Sequence, residues 1–196
     1  YEIEKYIDVN VKGTAILLDI LANEKHNVQK VIVASSRSIY GEGKYICSIH
    51  GEVYPDARRD ADMKVGDFEV KCPVCNSNID LLPTDEKSKI HPSSIYGITK
   101  HNQEQMVLTA CQSLGISALA FRYQNVFGPG QSLSNPYTGI LSIFSTRILH
   151  KKGIEVFEDG LESRDFVFID DFYPQEVFYE KIFIKIEQSI QKILDI

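Results

Sequence analysis

A tyrosine and a lysine lie four residues apart at the start of a segment that is predicted to be a helix. Tyr96 and Lys100 belong to the run Ser-Ser-Ile-Tyr-Gly-Ile-Thr-Lys. Because side chains at i and i+4 share one helix face, the lysine ammonium can lie beside the phenol. A neighbouring cation favours phenolate over phenol, so this tyrosine could take a proton from an alcohol near neutral pH. The alternative is an ordinary surface pair, since this spacing is common on helices.

Three of the four cysteines and one histidine form a second group, with the spacing of metal ligands. Two residues separate Cys47 from His50, and two residues separate Cys72 from Cys75. Two such knuckles can close a tetrahedral Zn²⁺ site, and four protein ligands leave no open position for catalysis. The spacing therefore predicts a structural zinc site. The alternative is a set of reduced cysteines on a loop.

Apolar strands and amphipathic helices alternate around these two groups. We predict helices over residues 3–22, 94–114, 137–151 and 174–194, and strands at 31–34, 117–122, 154–157 and 166–169. The continuous apolar runs of the first two strands are typical of parallel strands buried on both faces. Hydroxyl side chains follow the first strand, at the end where ligands collect in parallel sheets. The pattern predicts an α/β fold.

Five distinct sequence stretches follow one another along the chain. They are Asp-Val-Asn-Val-Lys-Gly-Thr at 8–14, Ala-Ser-Ser-Arg-Ser-Ile-Tyr-Gly at 34–41, Tyr-Gly-Ile-Thr-Lys at 96–100, Arg-Tyr-Gln-Asn-Val-Phe-Gly-Pro-Gly at 122–130 and Glu-Ser-Arg-Asp-Phe-Val-Phe-Ile-Asp-Asp at 162–171. Together they resemble the extended short-chain dehydrogenase/reductase family, the NAD-dependent sugar-nucleotide epimerases and dehydratases. The cysteine-bearing insertion before Tyr96 most resembles the dTDP-L-rhamnose 4-epimerase type.

The resemblance implies a chemistry for the first group of residues. The family oxidises the sugar 4-hydroxyl of a nucleotide-diphosphate sugar transiently, with NAD as cofactor. Tyr96 would be the base, and Lys100 would tune it and bind the nicotinamide ribose. Ser36 would donate a hydrogen bond to the reacting oxygen. These three residues are the predicted catalytic set and are also expected to contact the cofactor.

Further site residues follow from the same resemblance. The implied roles are cofactor contact for Asn10 and Gln124, and substrate contact for Ser38, Asn125 and Arg164. The forked guanidinium of Arg164 suits a diphosphate. Each role has a structural alternative: Asn10 could bond to nearby backbone, and Arg164 could pair with Glu162 or Asp165.

The resemblance also implies a domain organisation. We expect a partial Rossmann-like, doubly wound parallel sheet with a small zinc-ribbon-like insertion. Its first segment would be 1–42, the insertion 43–91 and the second segment 92–134. Residues 135–196 would form a partial substrate-binding region and a divergent C-terminal tail.

One expected motif does not occur. The 196 residues contain no Gly-x-x-Gly-x-x-Gly, the loop that lets backbone approach a pyrophosphate. We therefore expect a truncated chain that lacks the first part of the nucleotide-binding half, so whether it is an active enzyme stays open. The alternative is a catalytically inactive, zinc-stabilised interaction module or a non-functional gene fragment.

Composition narrows the classes of partner. The chain is 43% hydrophobic and 24% charged, with a formal charge of -6. An acidic balance argues against a nucleic-acid partner. No apolar run is long enough to predict a membrane span. We expect a cytoplasmic protein, with a homodimer implied for the intact family member. The fourth cysteine, Cys111, is interpreted as a buried apolar residue.

Overall fold

The computed structural model describes residues 2–133, 139–156 and 158–172. The chain divides into two compact units, Tyr1–Tyr123 and Gln124–Ile196. The expected domain limits, including the one at residue 134, stay a prediction. The helix predicted over 174–194 lies outside the described residues.

The first unit is built from consecutive helical segments, two paired strands and one long helix. Its main elements are α1 (Ile3–Tyr6), a π-helical segment (Ile7–Lys12), α2 (Gly13–Asn23), β1 (Lys30–Ser36), a 3₁₀ turn (Arg37–Tyr40), α4 (Ile95–Leu114) and β5 (Ser117–Tyr123). β1 and β5 are parallel, in a register that pairs Lys30 with Ser117 and Ser36 with Tyr123. The predicted first helix, the first two strands and the parallel pairing are confirmed.

Apolar side chains from α2, β1 and α4 form the core of this unit. The buried cluster consists of Leu18, Leu21, Val33, Val107, Cys111 and Ile116. Cys111 is fully buried, as the sequence predicts. Burying such side chains contributes roughly 1.5–3 kcal/mol each to folding, so this cluster holds the helices on the sheet.

The prediction that the first strand is buried on both faces is wrong for the described residues. Val33 and Ser35 are buried, whereas Ala34 between them is exposed. On the neighbouring strand, Leu119 is 46% exposed. Alternate residues of a strand point to opposite faces, so the core covers only the face of Val33 and Ser35. A continuous apolar run does not by itself show which faces are covered.

Capping residues fix both ends of α4. The hydroxyl of Ser94 accepts a hydrogen bond from the backbone N–H of Gly97 at 3.0 Å. At the other end, Gly115 adopts a left-handed conformation with φ 70°. A side-chain acceptor at the N-cap and a left-handed glycine after the last turn are favourable helix limits. Ser94 is therefore the cap residue of the helix predicted at 94–114.

The insertion contains a small antiparallel sheet. Its elements are β2 (Lys44–Cys47), β3 (Gly51–Val53), α3 (Asp60–Met63) and β4 (Asp80–Leu82), with β2 in the centre of the sheet. We refer to residues 44–82 as the lobe. Gly51 and Asn76, which follow the two knuckles, have φ values of 70° and 59°. Glycine and asparagine adopt this region more readily than other residues, which permits the tight turns.

The second unit contains β6 (Asn125–Phe127), α5 (Ile140–Leu149), β7 (Phe166–Phe168) and a 3₁₀ turn (Ile169–Phe172). β6 and β7 pair in parallel. The predicted helix and the strand at 166–169 are confirmed. The strand predicted at 154–157 is not formed over 154–156, which are exposed, and residue 157 lies outside the description. β-Branched residues favour extended backbone, but a strand also needs a paired neighbour.

Candidate functional site

The turn after β1 lies directly against the first turn of α4. A Cβ atom added to Gly97 would lie 2.5 Å from the carbonyl oxygen of Ser38. Only glycine permits this approach, since real Cβ atoms do not come so close to backbone oxygen. The contact brings the serine segment to the residue next to Tyr96. Two of the predicted catalytic segments, 60 residues apart in sequence, therefore meet in the fold.

Ser36 and Ser38 are hydrogen-bonded to each other. The hydroxyl of Ser38 donates to Ser36 Oγ at 2.9 Å, and the Ser38 backbone N–H donates to the same atom at 3.2 Å. Because the Ser36 oxygen accepts both bonds, its own proton can still be donated. This arrangement is compatible with the predicted role of Ser36 as a donor.

Tyr96 is partly accessible and its ring is positioned by a second tyrosine. Its exposed fraction is 39%. The ring of Tyr6, from α1, meets it edge to face with centroids 5.8 Å apart. Edge-to-face pairs of this kind are favourable. Sequence reasoning missed Tyr6, since nothing in its local pattern indicates a partner 90 residues away.

Lys100 lies half-buried beside an amide side chain. Burial lowers the pKa of the Lys100 ammonium below its ordinary value. Its Nζ donates to Gln103 Oε1 at 2.6 Å, and Gln103 Nε2 donates to Thr14 Oγ1 at 2.8 Å. Gln103 was also missed, although its position three residues after Lys100 on one helix could have indicated it.

Asn10 joins the first helical segments to α4. Its Nδ2 donates to the hydroxyl of Thr99 at 3.0 Å, and Thr99 in turn donates to the carbonyl of Tyr96 at 2.9 Å. The hydroxyl of Thr14 donates to the carbonyl of Asn10 at 2.7 Å. Asn10 therefore bonds to a side chain of the predicted catalytic helix, one position before Lys100. Its predicted cofactor contact stays a prediction.

A buried ion pair lies deeper in the same unit. The Arg122 guanidinium contacts the Glu104 carboxylate at 2.7 Å, and Glu104 is 1% exposed. Burial acts to raise the pKa of Glu104, but the hydrogen bonds and charge of Arg122 hold it below its ordinary value. Arg122 also donates to the Tyr40 hydroxyl at 2.5 Å and to the Glu86 carbonyl at 3.0 Å. This cluster ties α4, β5 and the serine turn together.

The remaining predicted residues lie in the second unit. Gln124 begins it, and Asn125 Nδ2 donates to the Asp165 carbonyl at 3.0 Å. The Arg164 guanidinium pairs with the Glu162 carboxylate, which is the structural alternative named for it, and donates to the Ser163 carbonyl at 2.9 Å. The predicted substrate contacts of Asn125 and Arg164 stay predictions.

The structure brings all four predicted metal ligands together. One ligand atom from each of Cys47, His50, Cys72 and Cys75 lies within 4.8 Å of the others. Cys47 and Cys72 are buried, whereas His50 and Cys75 are exposed. The backbone amides of Ile49 and His50, and then the His50 ring, lower the pKa of Cys47 to about 5.

A comparison with known protein families identifies the family of this chain. Residues 75–173 match the NAD dependent epimerase/dehydratase family. This match covers half of the chain, and the chain belongs to that family. Among the described residues, no helix combines the length and apolar character that crossing a membrane requires.

Two of the curated relatives are named as sugar-nucleotide 4-epimerases. The chain is 36% identical, over 87% of its length, to a dTDP-L-rhamnose 4-epimerase from Burkholderia thailandensis, of which it covers 46%. It is 28% identical, over 84% of its length, to a putative UDP-glucose 4-epimerase from Methanocaldococcus jannaschii, of which it covers 41%. The chain thus spans less than half the length of these curated relatives.

A solved structure shares the fold. The UDP-N-acetylglucosamine 4-epimerase from Methanobrevibacter ruminantium, solved in complex with UDP-N-acetylmuramic acid, superimposes with a TM-score of 0.63 at 26% identity. The match covers 87% of this chain and 43% of that one. It supports the Rossmann-like α/β assignment.

Proposed function

We propose that this chain carries the catalytic residues of an NAD-dependent sugar-nucleotide 4-epimerase of the dTDP-L-rhamnose type. The observation that carries the proposal is the contact between Gly97 and Ser38, which assembles the serine turn and the Tyr96–Lys100 helix. The 36% identity to the dTDP-L-rhamnose 4-epimerase supports the choice of sugar. A dehydratase would need the same proton acceptor. The products of turnover therefore have to distinguish epimerisation from dehydration.

The chain's residues supply proton transfer and orientation in this reaction. Tyr96 as phenolate takes the proton of the sugar 4-hydroxyl during oxidation and returns a proton to the 4-oxygen during reduction. The Lys100 ammonium stabilises the phenolate form. Ser36 donates a hydrogen bond to the same sugar oxygen. Gln103 and the Asn10–Thr99 bond hold Lys100 and its helix in place.

The residues present fit the nicotinamide end of NAD. Bound NAD would accept hydride from the sugar C4 and give it back. The Lys100 ammonium has three protons, of which one is donated to Gln103, so others can meet ribose hydroxyls. Asn10 and Gln124 are the further residues proposed to contact the cofactor. The Gly-x-x-Gly-x-x-Gly loop expected at the pyrophosphate does not occur in the 196 residues, so these residues would hold only part of NAD.

The substrate that we propose is a nucleotide-diphosphate sugar. Ser38 would contact the sugar beside Ser36, to which it is hydrogen-bonded. Asn125 and Arg164 would contact the nucleotide, and Arg164 would have to exchange its Glu162 partner for a phosphate. We further propose that the intact protein is a cytoplasmic homodimer. The Cys47–His50–Cys72–Cys75 cluster takes no part in this reaction, because four ligands leave no open position.

Turnover by the purified chain tests the proposal. With NAD⁺ present, we expect conversion of dTDP-L-rhamnose to exceed conversion of UDP-glucose and UDP-N-acetylglucosamine, and no loss of water from the sugar. The substitution Tyr96→Phe should lower turnover by about 10²–10⁴-fold, the usual contribution of a positioned acid or base. Its circular dichroism should not change.

Two results would count against it. Absence of turnover with every sugar would overturn the assignment for this chain and favour the non-catalytic interaction module. Equal turnover by Tyr96→Phe and the unsubstituted chain would remove Tyr96 from the reaction.

A further inference from the structure

We infer that the lobe, residues 44–82, folds around one Zn²⁺ bound tetrahedrally by Cys47, His50, Cys72 and Cys75. This inference goes beyond the proposed reaction and does not depend on it. It rests on the distances among the ligand atoms, on the repeated form of the two knuckles and on the small core of the lobe.

Three separations among the four ligand atoms match those of a tetrahedral zinc site, and all four atoms lie within 4.8 Å of one another. Zn–S bonds of about 2.3 Å and Zn–N bonds of about 2.0–2.1 Å place two sulfurs about 3.8 Å apart, and a sulfur and a nitrogen about 3.6 Å apart. Cys47 Sγ and Cys75 Sγ are 3.7 Å apart. His50 Nδ1 is 3.6 Å from Cys47 Sγ and 3.6 Å from Cys72 Sγ.

These separations do not fit the alternative of a disulfide. A sulfur–sulfur bond is about 2.05 Å long, well below the Cys47–Cys75 separation of 3.7 Å. All four cysteines of the chain are free thiols in the structure. Three sulfurs and one imidazole nitrogen, grouped without a covalent bond, form a donor set that suits zinc.

The two knuckles repeat one backbone arrangement. Gly51 and Asn76, each one residue after the second ligand of its knuckle, both have a positive φ, of 70° and 59°. Each knuckle is thus followed by a residue in the left-handed region, which permits the tight turn that brings its two ligands together.

A hydroxyl supports the second knuckle. Ser77 Oγ lies 3.1 Å from Cys75 Sγ and 3.7 Å from Cys47 Sγ. Hydrogen bonds to ligand atoms orient them for the metal. The Cys72–Ser77 turn is closed by backbone bonds from Cys72 N–H to the Ser77 carbonyl and from Asn76 N–H to the Cys72 carbonyl, both 2.9 Å.

The lobe has too small a core to explain its order. Its buried cluster consists of Cys47, Val53 and Cys72, with Tyr45 and Ile79 packed against it, and Pro55 and Val70 are buried outside that cluster. So few buried apolar side chains offset only part of the conformational entropy that about forty residues lose on ordering. The free energy of binding a structural Zn²⁺ contributes directly to folding, as it does in zinc fingers, so metal binding would add to this small core. Zn²⁺ binds three thiolates and one neutral imidazole, and any proton that these groups still hold is released to solvent.

The lobe is anchored beside the candidate catalytic segments. Its strands β2 and β4 join the 3₁₀ turn to the segment before α4, and His91 N–H donates to the Ile39 carbonyl at 3.0 Å. A Cβ on Gly41 would lie 2.5 Å from the His91 carbonyl oxygen, so the two stems of the lobe are in close contact. Closure of the lobe thus holds together the segments that lead to Ser36 and to Tyr96.

Cobalt substitution of the full chain tests the inference without substrate. The chain is stripped with a chelator under reducing conditions and titrated with Co²⁺. We expect about one Co²⁺ per chain, the visible bands of a tetrahedral ion and thiolate-to-metal charge transfer, all displaced by Zn²⁺. Cys75→Ser should lose the charge transfer and the bound metal. Cys111→Ala is the matched control and should retain both the charge transfer and the bound metal. Cys111 belongs to α4 and lies in the apolar core of the first unit, outside the lobe.

His50→Cys keeps the test valid if Cys75→Ser does not fold. It should still bind one Co²⁺, with a spectrum shifted towards that of four thiolates. Three results would overturn the inference: no tetrahedral spectrum in the unsubstituted chain, equal metal loss in Cys111→Ala and Cys75→Ser, or a Cys47–Cys75 disulfide in the freshly isolated protein.

Discussion

The candidate catalytic region and the lobe lie next to each other in one unit but are stabilised in different ways. The catalytic region has an apolar cluster of six buried residues from two helices, a strand and the segment before β5. The lobe has a cluster of three, two of which are cysteines. The first region can therefore keep its side chains in place by packing and hydrogen bonds. The second needs the proposed Zn²⁺ for its order, since two of its few buried side chains are the ligands Cys47 and Cys72.

The same difference shows in the polar groups. In the catalytic region, buried polar side chains pair with one another over long sequence distances, as Glu104 does with Arg122 and Asn10 with Thr99. In the lobe, ion pairs are local, such as the exposed pair of Arg59 with Asp62 and the partly buried pair of Lys71 with Asp67. Exposed pairs of this kind contribute about 0–1 kcal/mol each, too little to replace a core.

The largest effect in the catalytic region is expected from Glu104→Gln. It leaves the Arg122 charge without its partner, and breaking a buried pair costs about 3–5 kcal/mol. Urea denaturation would measure the loss. Asp8→Asn is the matched control, because the Lys12–Asp8 pair is exposed and should change stability by at most about 0.5 kcal/mol. A similar loss in both variants would contradict the distinction between buried and exposed pairs.

The Glu104→Gln effect should depend on pH. The pKa of Glu104 is lowered in the folded state, so the pair stabilises the protein above the unfolded carboxyl pKa of about 4.3 and is lost as pH falls through the folded value. The difference from the unsubstituted chain should therefore narrow under acid conditions. At neutral pH, Glu104→Gln should bind the same number of Co²⁺ ions per chain as the unsubstituted protein.

Gly97→Ala is expected to have an intermediate effect. The added Cβ meets the Ser38 carbonyl oxygen at 2.5 Å, so the serine turn must shift, at a cost of about 1–3 kcal/mol. Gly13→Ala is a matched control in another helix, since its Cβ would meet Asp8 O at an ordinary 3.7 Å. That variant should be neutral or more stable by up to about 1 kcal/mol. Melting temperature and turnover should both fall for Gly97→Ala, and unchanged values would mean that the contact does not assemble the site.

The smallest effect is expected from Gln103→Ala. The Gln103 oxygen accepts from the Lys100 ammonium and favours its charged form, whereas burial already lowers the pKa of Lys100. Removing the oxygen should lower that pKa further, and Gln103→Glu should raise it. The Lys100 ammonium signal in NMR, followed with pH, reads this out independently of turnover. Shifts in the same direction for both variants would rule out the positioning role of Gln103.

Local signals in the sequence predicted part of the fold and of the site. The limits of α4 follow from Ser94 and Gly115, whose conformational preferences act within one turn. The Cys/His cluster follows from a two-residue spacing that places both ligands of a knuckle in reach of one ion. Tyr96 was located by its spacing to Lys100, the serine turn was assigned a role by resemblance, and the structure brings their segments together at Gly97.

Long-range pairing was not predictable from these patterns. Glu104 and Arg122 each look like ordinary charged residues, and only the fold reveals that they are partners. The covered face of β1 could not be read from its apolar run, because that run has no alternation to separate one face from the other. A strand was predicted at 154–157 from strand propensity alone. Residues 154–156 do not pair with a neighbouring strand, so that propensity was not sufficient.

Hydrogen exchange with and without a chelator tests the difference between the two regions most directly. Mass spectrometry would follow peptides from the lobe, residues 44–82, and from α4, Ile95–Leu114, in the same sample. We predict that the chelator removes protection from the amides of β2, β3 and β4, while those of α4 keep theirs. Loss of protection in both regions together, or in neither, would contradict the account that packing holds one region and metal the other.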